Sequence, residues 1–69
     1  MGLKEIRATY GVPAWRGRRV RFNPRNDNEF IFMEGTITGA RYGHIRVRMD
    51  GEQYSRLLHP RLRVEYLEP

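Results

Sequence analysis

The chain has 69 residues, carries 13 lysines and arginines against 8 aspartates and glutamates for a net charge of +5, and contains no cysteine. That length holds a single domain, residues 1–69, which buries only about 60% of the surface its unfolded form exposes, so stability is expected on the order of 3–5 kcal/mol. Disulfides and thiolate metal sites are excluded, and no apolar run of about 18 residues or signal-peptide core is present, which argues against membrane spanning and secretion and makes a cytoplasmic location the expectation.

Leu3, Ile6 and Tyr10 share one helical face, and Gly11 and Pro13 stop it, so the spacing predicts a short amphipathic helix over residues 3–9. It is too short to persist alone and must pack on something. A linker containing Trp15 closes this N-terminal segment, residues 1–15, and the β domain occupies residues 16–69. Arg18-Arg19-Val20-Arg21-Phe22 alternates charged and apolar side chains, the period of a strand with one buried face. A polar, turn-rich loop follows over residues 23–29, then the apolar run Phe30-Ile31-Phe32-Met33. That run is expected to begin a strand covered on one face by the core and on the other by the helix of Leu3 and Ile6; the alternative is an exposed contact patch that promotes self-association.

Residues 34–40 are rich in β-branched positions, and Gly43 allows a reversal into His44-Ile45-Arg46-Val47-Arg48-Met49, where alternation is strict. Asp50-Gly51 is a hairpin signal, with a return strand over residues 53–58. A two-residue turn puts Tyr54 and Arg56 on the face of Val47, whereas one bulge residue puts Leu57 there; the bulged register is the expectation. His59-Pro60 ends that strand, and residues 63–67 alternate once more. The result is a mainly β fold: five short antiparallel strands with a short N-terminal helix.

All basic residues except Lys4 are arginine. Arg16, Arg18, Arg19 and Arg21 cluster around the first strand, Arg46 and Arg48 point outward from a central one, and Arg41 and Tyr42 lie on the adjoining loop. Merged into one surface near Trp15, these side chains suit nucleic acid, because guanidinium forks match phosphate oxygens and aromatic rings stack on unpaired bases. The competing view is a solvated basic face, with Glu34, Glu52 and Glu65 pairing with several arginines and a net charge that is modest. A protein-interaction module is the other class, with Trp15, Tyr54, Phe30 and Phe32 as contacts, or a groove of Tyr42, Tyr54, Trp15 and the 23–29 loop, acting as monomer or weak homo-oligomer. An aromatic cage for methylated lysine would need three aromatics converging at one end of the sheet.

Catalysis is not expected. His44 and His59 are the only histidines and have no carboxylate spacing that makes a metal site, Ser55 lacks the Gly-x-Ser-x-Gly elbow, and residues 35–39 lack the spacing and lysine of a phosphate cradle. His59 is expected to bond local backbone. No cofactor is implied.

The five strands, the long loop after the first, the tight central hairpins and the Pro60 turn together resemble the SH3-like small barrel. Arg19-Val20-Arg21, Gly35-Thr36-Ile37 and residues 45–49 look like KOW-type modules, in which a glycine among β-branched residues lets the barrel curl; the 23–29 loop and the apolar run depart from their compact spacing. More narrowly, Tyr10-Gly11-Val12-Pro13-Ala14, Arg16-Gly17, Gly35-Thr36-Ile37-Thr38-Gly39, Arg46-Val47-Arg48, Asp50-Gly51-Glu52, His59-Pro60 and Glu65-Tyr66-Leu67 are similar to small uncharacterised proteins of tailed bacteriophages and prophages. That resemblance implies a bacterial cytoplasm or a virion and carries no activity.

Overall fold

A computed structural model describes residues 2–24 and 31–68. Helix α1 (Leu3–Tyr10) is followed by strands β1 (Arg19–Phe22), β2 (Met33–Arg41), β3 (His44–Met49), β4 (Ser55–Leu58) and β5 (Val64–Tyr66). The strands form one antiparallel sheet in the order β4-β3-β2-β1-β5, so the last strand returns to lie beside the first. Most of the expected 23–29 loop, with Phe30, lies outside the described residues. No helix among the described residues is long and apolar enough to cross a membrane.

The helix begins where the Gly2 amide donates to Glu5 Oε2 at 3.1 Å. It stops at Gly11, whose left-handed backbone (φ 64°) lets its N–H return to the Arg7 carbonyl. The helix is stabilised by Ile6, which is fully buried with Ala14, Val20, Ile37, Ile45, Val47, Met49 and Leu58. Leu3, Tyr10, Phe22, Val64 and Tyr66 pack around this cluster. Tyr66 also donates its hydroxyl to the Pro60 carbonyl at 2.8 Å, tying β5 to the turn that precedes it, and burial pushes its phenol up to about 12.

Two hairpins set which residues face inward. Arg41 pairs with His44 across a two-residue turn in which Tyr42 and Gly43 both have positive φ (55° and 76°), as a type I′ turn requires. Continued without interruption, that register would set Ile37 opposite Arg48 and spoil the core. An extra residue at Thr38 shifts the ladder between Ile37 and Gly39, so that Ile37 falls opposite Val47 and both apolar rows share the inner face.

In the second hairpin the bulged register is not what forms. Arg48 pairs with Ser55, Arg46 with Leu57 and Ile45 with Leu58, so Val47 faces Arg56 and Leu57 is exposed. The Asp50-Gly51 turn closes through the Glu52 amide and the Met49 carbonyl, but Gln53 and Tyr54 stay outside the ladder, moving the pairing two residues on while keeping its parity. Only one of Leu57 and Leu58 can face inward, and Leu58 does so opposite Ile45.

The apolar run is also not covered on both faces. Met33 starts β2 half-buried, yet Ile31 and Phe32 are exposed, at 37% and 51%. The helix packs against β3 rather than over the start of β2, and Phe32 is instead capped by the guanidinium of Arg21, 5.2 Å from its ring centre.

At Gly35 β2 lies tight against β3. A Cβ there would lie 2.6 Å from the Arg48 carbonyl oxygen and 2.9 Å from the Met49 Cα, so the absent side chain lets the two backbones lie this close. Gly35→Ala should therefore cost about 1–3 kcal/mol in denaturant unfolding. A cost within about 0.5 kcal/mol, the range of an ordinary surface change, would show that the strands are not so tightly apposed.

Candidate nucleic-acid interface

The outer face of the sheet is built in rows across the strands. Arg19, Thr36, Arg48 and Ser55 form one row, and Arg21 and Glu34 lie in the next, with Glu65 opposite Arg21 on β5. Arg46 sits beyond Arg48 along β3, opposite Gly39 and Leu57. The side chains of Arg46 and Arg48 are exposed while Ile45, Val47 and Met49 are buried, as the alternation predicts.

Carboxylates divide this face into two halves. Arg19 donates from both Nη atoms to Asp50, at 2.8 and 2.6 Å, and lies 3.6 Å from Glu34. Arg21 stands 3.7 Å from both Glu34 and Glu65. Off this face, at the β4 edge opposite Val47, Arg56 makes a second bidentate pair, with Glu52, at 3.0 and 2.6 Å. The bidentate geometry holds the Asp50 and Glu52 carboxyls below their ordinary values, chiefly through the guanidinium hydrogen bonds. The β1 pairs and the Asp50 turn thus neutralise one end of the face.

At the other end no carboxylate is paired with the arginines among the described residues. Arg16 reaches from the β1 approach to donate to the Thr38 carbonyl at 2.6 Å. Thr38, the bulge residue, offers its hydroxyl to the Arg46 carbonyl at 3.3 Å and lies 3.1 Å from the Ser55 hydroxyl. Arg48 spans the boundary, its Nε donating to the Glu52 carbonyl at 3.2 Å. Arg16, Arg46 and Arg48 therefore lie beside this pair of hydroxyls, without an acidic partner among the described residues. Thr36 and Thr38 also floor a shallow cleft walled by Arg48 and the Asp50 turn.

The remaining arginines named from the sequence do not join this group as equals. Arg41 lies two pairs nearer the hairpin tip and folds over Tyr42, 4.9 Å from its ring centre with an Nη donating to its hydroxyl at 3.1 Å. Arg18 is half-buried, and its Nε is enclosed without a hydrogen-bond partner among the described residues.

Tyr42 and Tyr54 lie beyond opposite ends of β3, about 20 Å apart at roughly 3.3 Å per residue, so they do not share a groove, and the proposed cage has no convergence of these aromatics. Trp15 is 55% exposed beside Arg16, with the Arg7 guanidinium over its ring at 3.6 Å.

Both histidines serve packing. His59 Nδ1 accepts the Arg61 amide at 3.1 Å, the local backbone bond expected of it, and its ring meets Tyr10 and His44 edge-on at 5.3 and 6.1 Å. His44 Nδ1 donates to the Tyr42 carbonyl, 2.9 Å away. Among the described residues no three His, Asp or Glu side chains gather as metal ligands.

The hydroxyls of Thr38 and Ser55 escaped the sequence reading because their approach depends on the bulge and the hairpin register. Asp50 read only as a turn residue, although an acid at the end of an arginine-bearing hairpin is a signal that could have paired it with β1. No family model, curated protein or solved structure matches the chain.

Because Asp50 and Glu52 titrate below their unfolded values of about 4, the stability they contribute is fully present above that range and is lost as pH falls through their folded values. Thermal melts should be flat from about pH 7 to 5 and decline only below about pH 4. Asp50→Asn should make that decline shallower; a variant melting with the parent's acid profile would remove the Arg19 pair as its source.

Proposed function

We propose that the protein is a binding module rather than an enzyme, and that it contacts the phosphate backbone of nucleic acid through Arg16, Arg46 and Arg48. The observation that carries this reading is the partition of charge on the outer face: acids pair with the arginines of β1, while Arg16, Arg46 and Arg48 have no acidic partner among the described residues. Guanidinium forks match phosphate oxygens. The solvated-face view accounts for Arg19, Arg21 and Arg56, whose charges are already matched. It does not account for the uncompensated half.

The strand order, with the last strand beside the first, fits a small SH3-like barrel, and we read the coiled sheet as one. A second reading, capture of an extended protein segment, is supported by β4, an outer strand that carries Leu57 and is preceded by Tyr54, at 45% and 79% exposure. Binding of that kind would be insensitive to salt.

Nucleic-acid affinity should fall steeply with salt. Replacing Arg46 and Arg48 together by alanine should weaken binding to all sequences alike and lower the log–log salt slope by roughly 1.4 to 1.8, the contribution of two phosphates on single strands or duplex. Arg19→Ala with Arg21→Ala should change the slope much less. Absence of binding to DNA and RNA at about 50 mM salt would reject the proposal.

A further inference from the structure

We infer that the interface is selective for single-stranded nucleic acid, with one unpaired base stacking on the free face of Trp15. The inference rests on the phosphate-contact reading above and adds the ligand class.

The indole is prepared for such a contact. Its backbone is held by two turn hydrogen bonds, the Trp15 amide to the Pro13 carbonyl at 3.0 Å and the Arg18 amide to the Trp15 carbonyl at 3.0 Å. The ring itself is clamped from one side by Arg7, whose guanidinium carbon lies 3.6 Å from the ring centre while its Nη1 donates to the Ala14 carbonyl at 3.0 Å. One indole face is thus occupied, and the residue still keeps 55% of its surface exposed. A flat ring with one side clamped and the other open can take a planar group without first being ordered, which lowers the entropic cost of binding.

Position supplies the second half. Arg16 follows Trp15 directly and reaches the Thr38 carbonyl, beside the strand that carries Arg46 and Arg48. A strand whose phosphates run over these guanidinium groups brings a base to the indole at the edge of the same surface. The other exposed aromatics are less suited: Tyr54 is 79% exposed, but among the described residues no ring contact or hydrogen bond holds its side chain in place. Phe32 is capped by an arginine already engaged with Glu34 and Glu65, and Tyr42 lies at the hairpin tip in contact with Arg41. In duplex nucleic acid the bases are stacked on one another and cannot reach the ring, so a duplex would make only the phosphate contacts.

Trp15 is the only tryptophan in the chain, so its fluorescence reports the contact directly. Titration of the full chain with a labelled oligothymidylate, an oligouridylate and a duplex of equal length, following both anisotropy and tryptophan emission, tests the inference. The expected result is quenching by the single strands, and about tenfold weaker binding of the duplex with emission unchanged. Trp15→Ala should bring single-strand affinity down to the duplex level, and Trp15→Phe should retain most of it. Should Trp15→Ala fail to fold by circular dichroism, the parent's emission and Trp15→Phe decide the matter. Equal affinity for single strand and duplex with emission unmoved would overturn stacking and leave the phosphate surface standing; no binding to either would overturn both.

Discussion

The inward row of Ile45, Val47 and Met49, none more than 1% exposed, constrains the rest of the molecule. Once those three side chains are buried, the pleat forces Arg46 and Arg48 outward, because neighbouring residues on a strand point to opposite faces. The same burial dictates the irregularities on either side. The bulge at Thr38 brings Ile37 opposite Val47, and the unpaired Gln53 and Tyr54 bring Leu58 opposite Ile45. Gly35 then permits β2 and β3 to approach closely beside this row.

The distribution of charge on the outer face follows from what that packing leaves outside. Arginine side chains alternate out of both β1 and β3, yet the two strands meet different neighbours. β1 lies between β2, which presents Glu34, and β5, which presents Glu65, and the turn after β3 carries Asp50 back to Arg19. β3 lies between the hydroxyl-bearing parts of β2 and β4. Similar sequence patterns therefore end as an ion-pair network on β1 and as unpaired positive charge on β3. Exposed ion pairs of this kind contribute little to stability, so their main effect here is on where positive charge remains available.

Much of the fold was legible because its signals are local. The stop at Gly11, the alternation of β3 and the turns at Gly43 and Gly51 each depend on a few adjacent residues, and the structure shows those elements within one or two residues of expectation. What depended on distant partners was not legible. The hairpin register turned on how many residues stay outside the ladder after Gly51, and Leu57 and Leu58 are chemically equivalent candidates for the core. Cover for Phe32 depended on where the helix docks; it lies against β3, leaving Arg21 to shield the ring. In the site, the outward direction of Arg46 and Arg48 could be read from spacing alone. The neutralisation of Arg19 by Asp50, 31 positions away, and the clamp of Arg7 on Trp15 required the folded chain.

Assignment of contacts by nitrogen–proton correlation spectra, recorded on the labelled chain as single-stranded oligothymidylate is added at low salt, tests the central claim most directly. The expected shifts fall on Arg16, Thr38, Arg46, Arg48 and Ser55, including the guanidinium Nε–H signals, and spare Arg19 and Arg21. Shifts centred on β1, or on Tyr54 and the free edge of β4, would contradict the division of charge from which the interface is drawn.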